Sequence, residues 1–427
     1  AGRGCGRGCE RGCGRGCGRG RGRFSGRVTP AQRLRRRATR GFYRALRATC
    51  RGLLPTGVGP GPVNPNDLRR IALLASYQVG DLVVALPALD YLRRAAPHAR
   101  LDVVLSPRNA SLVAGDPRVD GVLLHEPRRE GWVGLARRLR RGRYDAVVDF
   151  VLPHHAREGV LTAWAAARRG ARVTPYRPAR YLGLFTHHPR VPGLDRRYMA
   201  DRLLYAVAAA VRPLGAPPPD PDALRRAYPM RLPAHPESDA HAAAWLAETF
   251  GDAGPGGRPV VAVNAWARDP VRTLAVSQVR ALLARLEAAH PEVAFVVTPP
   301  PGAEDAAAAM VEGTGAAVYP PAAALGPLVA LLRRCAAVVT PDTANIHLAA
   351  AVGCPVVALF ATAATANVAH WVPSGVPCRV VTIGDGRPLR DLAPEDAAAA
   401  FEALWAAVGP ERAGEAAEPA AIGQRAP

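Results

Sequence analysis

Three short polar turns hold the side chains of this chain that could do chemistry. They are Ser76-Tyr77-Gln78-Val79-Gly80-Asp81, Asn264-Ala265-Trp266-Ala267-Arg268-Asp269-Pro270-Val271-Arg272 and Asp342-Thr343-Ala344-Asn345-Ile346-His347. In the first, Gly80 permits a tight turn and Asp81 sits at or near a helix N-terminus. A carboxylate there either caps backbone N–H groups or takes a proton from a hydroxyl. The second turn suits an anion, because arginine forks grip phosphate oxygens two at a time. Arg268 and Arg272 also fit as ordinary surface charges of an arginine-rich protein. In the third, Asp342 can cap the helix that begins near Thr343, whose free N–H groups form an anion site around Ala344. Asp342 itself would repel phosphate, so capping, or a hydrogen bond to a ribose or sugar hydroxyl, is expected of it. Thr343 and Asn345 add neutral donors. His347 reads either as a ligand or as a satisfied, half-buried histidine.

The elements around these turns follow from hydrophobic periodicity. From Leu68 onward, short apolar runs alternate with amphipathic stretches: "RRIALLA", "ARLDVVLS", "DGVLLHE" and "DAVVDFV" as strands, with "LVVALPALDYLRRAAP" and "GWVGLARRLRRGRY" as helices between them. Such alternation predicts a parallel, doubly wound α/β sheet. Residues 196–250 read as a mainly helical bridge, interrupted by the proline-rich 213–221. A second series opens at "RPVVAVNAW" and continues through helices over 276–289, 303–312 and 323–335 to the strand "AVVTP". Two Rossmann-like domains, 68–250 and 251–410, are therefore expected to face a central cleft, with ligands at the C-terminal ends of their strands. The first turn is not a G-x-G-x-x-G fingerprint, which argues against a dinucleotide cofactor.

Composition limits the function classes less than it first suggests. The 427-residue chain has a formal charge of +21, and all 56 of its basic residues are arginine. Residues 1–52 hold sixteen of those arginines and one acid, Glu10, so this stretch supplies +15 and the rest of the chain only +6. A nucleic-acid-binding class would rest on that tail alone. Residues 1–27 are a Gly-Arg-Cys run with Cys5, Cys9, Cys13 and Cys17. It is read as a disordered extension, with soft-metal binding and non-specific RNA contact as the alternatives. Residues 31–53 have the pattern of a basic amphipathic helix, suited either to an anionic membrane surface or to docking on the protein itself. Residues 54–67 form a Pro/Gly linker, and 411–427 a disordered tail. Neither a disulfide framework, a signal peptide nor a membrane-spanning run is evident, so a cytoplasmic protein is expected.

The runs "VGDLVVALPAL…LRRAAPHARLDVVL", "YDAVVDF", "NAWARDPVR" and "DTANIHLAAAVGCPVVALF" together resemble, in order and spacing, the ADP-heptose:lipopolysaccharide heptosyltransferase family, glycosyltransferase family 9. The resemblance covers roughly residues 69–376. It implies a GT-B fold with the acceptor on the N-terminal domain and the donor nucleotide on the C-terminal one. It further implies inversion at the sugar and no catalytic metal. The family's general base matches Asp81 and its phosphate-binding basic residue matches Arg272. The pyrophosphate loop matches Asp342, Thr343 and Ala344, and the family's helix histidine matches His347. Two stretches depart from the pattern: Leu274-Ala275 stands where the family has Trp-Pro, and Phe360-Ala361-Thr362-Ala363-Ala364-Thr365 lacks the acid of the usual loop.

The expected activity is thus metal-independent glycosyl transfer with no cofactor. Its partners would be a nucleoside-diphosphate sugar, ADP-heptose favoured, and a lipopolysaccharide-core or other glycan acceptor. Ser76 and Gly80 are expected on the acceptor side, with Arg268 beside the donor phosphates. The enzyme is expected to be a monomer at the inner face of the cytoplasmic membrane, without specific nucleic acid. The alternatives are another GT-B-like nucleotide-sugar enzyme, such as an epimerase, and a non-catalytic protein with an RNA-contacting tail.

Overall fold

The computed structural model describes residues 61–75, 78–126, 129–150, 171–174, 186–187, 197–361, 365–384 and 386–412. The expectations for residues 1–27 and 31–53, for Ser76, for Thr362 to Ala364 and for 413–427 lie outside the described residues. All described residues belong to a single compact unit, Cys50–Pro427.

The first half is a parallel sheet of β1 (Arg70–Leu74), β2 (Arg100–Leu105), β3 (Gly121–Leu124), β4 (Ala146–Asp149) and β5 (Ala171–Val173), in the order β3-β2-β1-β4-β5. Ile71 pairs with Leu101 on one side and Ala146 on the other. The central strands β1 and β4 are buried on both faces, which explains why they are mainly apolar. Helices α1 (Val79–Ala95), α2 (Pro107–Ala110) and α3 (Gly131–Gly142) follow β1, β2 and β3 in turn.

The bridge is helical, as its periodicity predicts: α4 (Met199–Ala210), α5 (Pro221–Ala227) and α6 (Pro236–Phe250). Helix α4 packs on α1, whereas α6 packs on the second half, where Trp245 meets Tyr319 edge-on at 4.8 Å. That half contains β6 (Val260–Val263), α7 (Val276–Ala289), β7 (Ala294–Val297), α8 (Glu304–Val311), β8 (Ala317–Val318), α9 (Gly326–Arg334), β9 (Ala337–Pro341), α10 (Ala344–Ala351), β10 (Val356–Phe360), α11 (Thr365–Trp371), β11 (Cys378–Thr382) and α12 (Pro394–Arg412). Its parallel sheet runs β11-β10-β9-β6-β7-β8.

Both orders reverse direction next to their first strand: between β1 and β4 in the first sheet, between β6 and β9 in the second. Loops diverge to opposite faces at such a point and leave a crevice at the strand C-termini. The three polar turns leave β1, β6 and β9, so each stands at a reversal.

One apolar core runs through both halves and joins α1, α4 and α10. Polar ties reinforce it. Ser374 donates to Asp201, and Arg202 donates to His370. No helix among the described residues is long and apolar enough to cross a membrane.

Candidate active site

Asp81 lies in the first turn of α1, three residues after the cap position, Gln78, whose own side chain makes no capping bond. Its carboxylate accepts a backbone hydrogen bond from Gln78, the kind of bond that the capping reading expects. The carboxyl group is 7% exposed, and its burial lifts its pKa to about 7, against a smaller downward pull from a backbone hydrogen bond at Gln78. A carboxylate so poised is a competent base near neutral pH. The Gln78 carbonyl is held by the side chain of Asn109, Nδ2 to O 3.1 Å, which fixes the turn that delivers Asp81.

Gly80 has a steric reason to be glycine. A methyl group placed on it would stand 3.1 Å from His347 Cδ2 and 3.8 Å from the Ala344 Cα. The start of α1 thus abuts α10, bringing the first and third polar turns together.

On the second half, Asn264 shapes the turn after β6. Its side chain donates to Thr340 Oγ1 and to the Trp266 carbonyl, 3.0 Å each, and accepts from the Trp266 N–H. A single helical turn, Pro270–Arg272, follows, capped by Asp269. It aims Arg272 at β9, where Nη1 donates to both the carboxylate and the carbonyl oxygen of Asp342 at 2.9 Å. Arg268 is exposed along the cleft and has no hydrogen bond or ion pair among the described residues.

The expected capping by Asp342 is corrected. Thr343 is the N-cap of α10, and its hydroxyl accepts from the Asn345 N–H at 3.2 Å. Asp342 turns instead to Arg272 because an acid leaving a buried strand end needs a cation nearby. Burial raises its pKa, and Arg272 opposes that rise. Ala344 and Asn345 at the start of α10 line the cleft beside this pair, with the Asn345 N–H held by the Thr343 hydroxyl.

His347 is 3% exposed. Its Nδ1 lies 2.8 Å from the Tyr198 hydroxyl, and its ring packs between Tyr198 and Trp371, with centroids at 5.6 and 5.7 Å. Burial lowers its pKa to about 4, so the ring is neutral at physiological pH.

These residues line one cleft of about 750 Å³. It gathers Gly80 and Asp81 from the first half with Arg268, Arg272, Asp342, Thr343, Ala344, Asn345 and His347 from the second. Sequence reasoning missed Arg108 and Asn109 on the wall that the first half contributes. It also missed Thr298, whose buried hydroxyl lacks a partner among the described residues. Thr298 ends the apolar run "VAFVVT", a polar residue at a strand C-terminus, and that signal could have found it. Tyr198 gave no signal at all. Among the described residues, no group of three or more His, Cys, Asp or Glu side chains is arranged to hold a metal ion.

Residues 132–385 match the family model for glycosyltransferase family 9 (heptosyltransferase). No curated protein matches the chain. Among solved structures, the fold is similar to a family 9 glycosyl transferase from Veillonella parvula: 19% identity, 79% of this chain and 98% of that one, TM-score 0.65. It is also similar to ADP-heptose LPS heptosyltransferase II of E. coli, with 19% identity, 79% and 99% coverage, and TM-score 0.58. The E. coli heptosyltransferase WaaC, solved with ADP, gives 20% identity, 78% and 99% coverage, and TM-score 0.57. At such identities the likeness establishes the fold, two Rossmann-like domains of the GT-B kind.

Proposed function

Because the chain belongs to glycosyltransferase family 9, the heptosyltransferase family, we propose that its cleft transfers a sugar from a nucleoside diphosphate to a glycan hydroxyl, inverting the anomeric centre without a metal. The observation that carries this reading is the pairing across one cleft. A buried carboxyl group with a pKa near 7 comes from the first half, and the second half supplies an arginine pair and a helix N-terminus.

In the proposed step, the acceptor oxygen attacks the anomeric carbon as Asp81 takes its proton. The bond from that carbon to the phosphate oxygen breaks, and its electron pair leaves with the nucleoside diphosphate. Arg272, Arg268 and the N-terminus of α10 at Thr343 and Ala344 take up the charge that develops on the diphosphate. Fixed dipoles and guanidinium groups do this well in a site that excludes water. Asp342 holds Arg272 in place and moderates its charge.

ADP-heptose is the favoured donor, supported by the E. coli WaaC structures with ADP and with ADP-2-deoxy-2-fluoro heptose. A lipopolysaccharide-core or related cell-surface glycan is the acceptor class. Both halves of the site come from one chain, so the monomer suffices as the active unit. The basic, amphipathic sequence of residues 31–53 would hold the enzyme at an anionic membrane surface where a glycolipid acceptor lies. Deleting residues 1–53 should then release the protein from anionic liposomes while sparing transfer to a soluble acceptor.

The direct test is a thermal-shift series with ADP, GDP, UDP and CDP, followed by a transfer assay with ADP-heptose. Selective stabilisation by ADP and formation of the inverted product are expected. Indifference to all four nucleotides would overturn the proposal.

A further inference from the structure

We propose that Tyr198 is a positioning residue for the transfer: its hydroxyl donates to His347 Nδ1 and so fixes the imidazole proton on Nε2, presenting a neutral donor to the leaving diphosphate. Tyr198 stands just before α4 and His347 in the first turn of α10, so the bond joins the bridge to the second half.

The proton assignment follows from the acceptors available. The buried phenol has two candidates, His347 Nδ1 at 2.8 Å and the Met230 thioether at 3.7 Å. Imidazole nitrogen is much the better acceptor, so the hydroxyl proton goes to Nδ1 and the ring proton to Nε2. The phenol cannot exchange roles by ionising, because burial raises its pKa well above the ordinary value. The histidine stays neutral for the same reason.

The ring cannot easily turn away. Trp371 packs against it, and Gly80 closes on its Cδ2 edge. No described residue bonds Nε2, and His347 lines the cleft beside Asp81, Ala344 and Asn345. A neutral donor there strengthens its bond as the diphosphate gathers charge, without forming a tight ion pair with the donor before reaction.

The proposal rests on the cleft being the transfer site, and the test keeps the two apart. Full-length protein with ¹⁵N-labelled histidine rings is examined by long-range ¹H–¹⁵N correlation, with His347 assigned from His347→Gln. A wild-type ring protonated on Nε2, with that resonance moving on addition of ADP, is expected. Tyr198→Phe should mix the tautomers and lower kcat by about tenfold, while donor KM changes by about twofold or less. In a His347→Gln background, whose amide needs no tautomer, Tyr198→Phe should leave kcat unchanged.

A wild-type ring protonated on Nδ1 overturns the role of Tyr198, and does so even if Tyr198→Phe fails to fold. An unchanged tautomer and kcat in Tyr198→Phe overturns it as well. No response of His347 to ADP would instead overturn the reading of the cleft.

Discussion

Arg272 Nη1 donates to Asp342 twice, once to the carboxylate and once to the main-chain carbonyl, each at 2.9 Å. The pair couples the turn after β6 to the turn after β9, across the point where the second sheet reverses its order. Arg272 is about one-third exposed, so its remaining N–H groups stay available to a ligand while Asp342 fixes its direction.

Arg272→Ala should therefore remove a transition-state contact and strand an acid. A fall in kcat/KM of about 10²-fold is expected, the scale on which loss of one oxyanion donor acts. Asp342→Asn should cost less, since Arg272 keeps its bond to the main-chain carbonyl. If the pair acts as a unit, the double variant will lose less than the two single losses combined. Additive losses measured in steady-state kinetics would separate the two residues.

Asp81→Asn should abolish transfer and leave nucleotide binding intact, as read by thermal shift with ADP. It should also stabilise the fold. The buried carboxyl group binds its proton more tightly folded than unfolded, so wild-type stability falls as pH rises from about 4 to about 7 and stays low above that. At pH 8 the variant should be more stable by on the order of 2–4 kcal/mol, an upper range set by the size of the shift. Equal denaturation midpoints for the two proteins at pH 8 would contradict the burial argument.

The same group predicts the acid limb of the rate profile. With Asp81 as the proposed base, kcat/KM should rise about tenfold per pH unit below pH 7 and level off above it. A limb near pH 4 would assign the base elsewhere. His347, neutral down to about pH 4, should add no inflection between pH 5 and 9.

Gly80→Ala sets two effects against each other. Alanine favours the helix by about 1 kcal/mol, but its methyl would press on His347, which Tyr198 and Trp371 hold from other sides. Stability should change little while kcat falls, because the imidazole is displaced. Full activity in the variant would show that the contact is slack.

Thr343→Ala removes the cap of α10 and should cost about 1 kcal/mol in urea denaturation, with Thr343→Ser close to neutral. Loss of ADP affinity in Thr343→Ala beyond that seen in Thr343→Ser would link cap geometry to anion binding.

The elements were legible because their signals are local. Helix α7 spans Val276–Ala289, the same bounds that periodicity predicts, and β9 ends at Pro341 just ahead of the polar turn. The turns could be found as well, since a polar cluster after a buried apolar strand has few places to sit other than the crevice at the strand C-termini. Their internal bonds were legible only in part. The sequence places Asp81 and Asp342 near helix starts, and local reasoning offers capping as one role for each. In the fold, Asp81 lies within the first turn and is buried, and Asp342 faces an arginine seventy residues earlier.

Sequence alone, then, determined two α/β halves, three polar turns at strand ends and the residue types within them, because hydrophobic period and turn chemistry act over a few neighbours. Only the tertiary structure decided which turns meet, how far Asp81 is desolvated, and that Tyr198, 149 residues from His347, holds its ring. Those outcomes depend on the packing of α1, α4 and α10 into one core. Burial and partner choice are set by residues far apart in the chain, and no local window contains them.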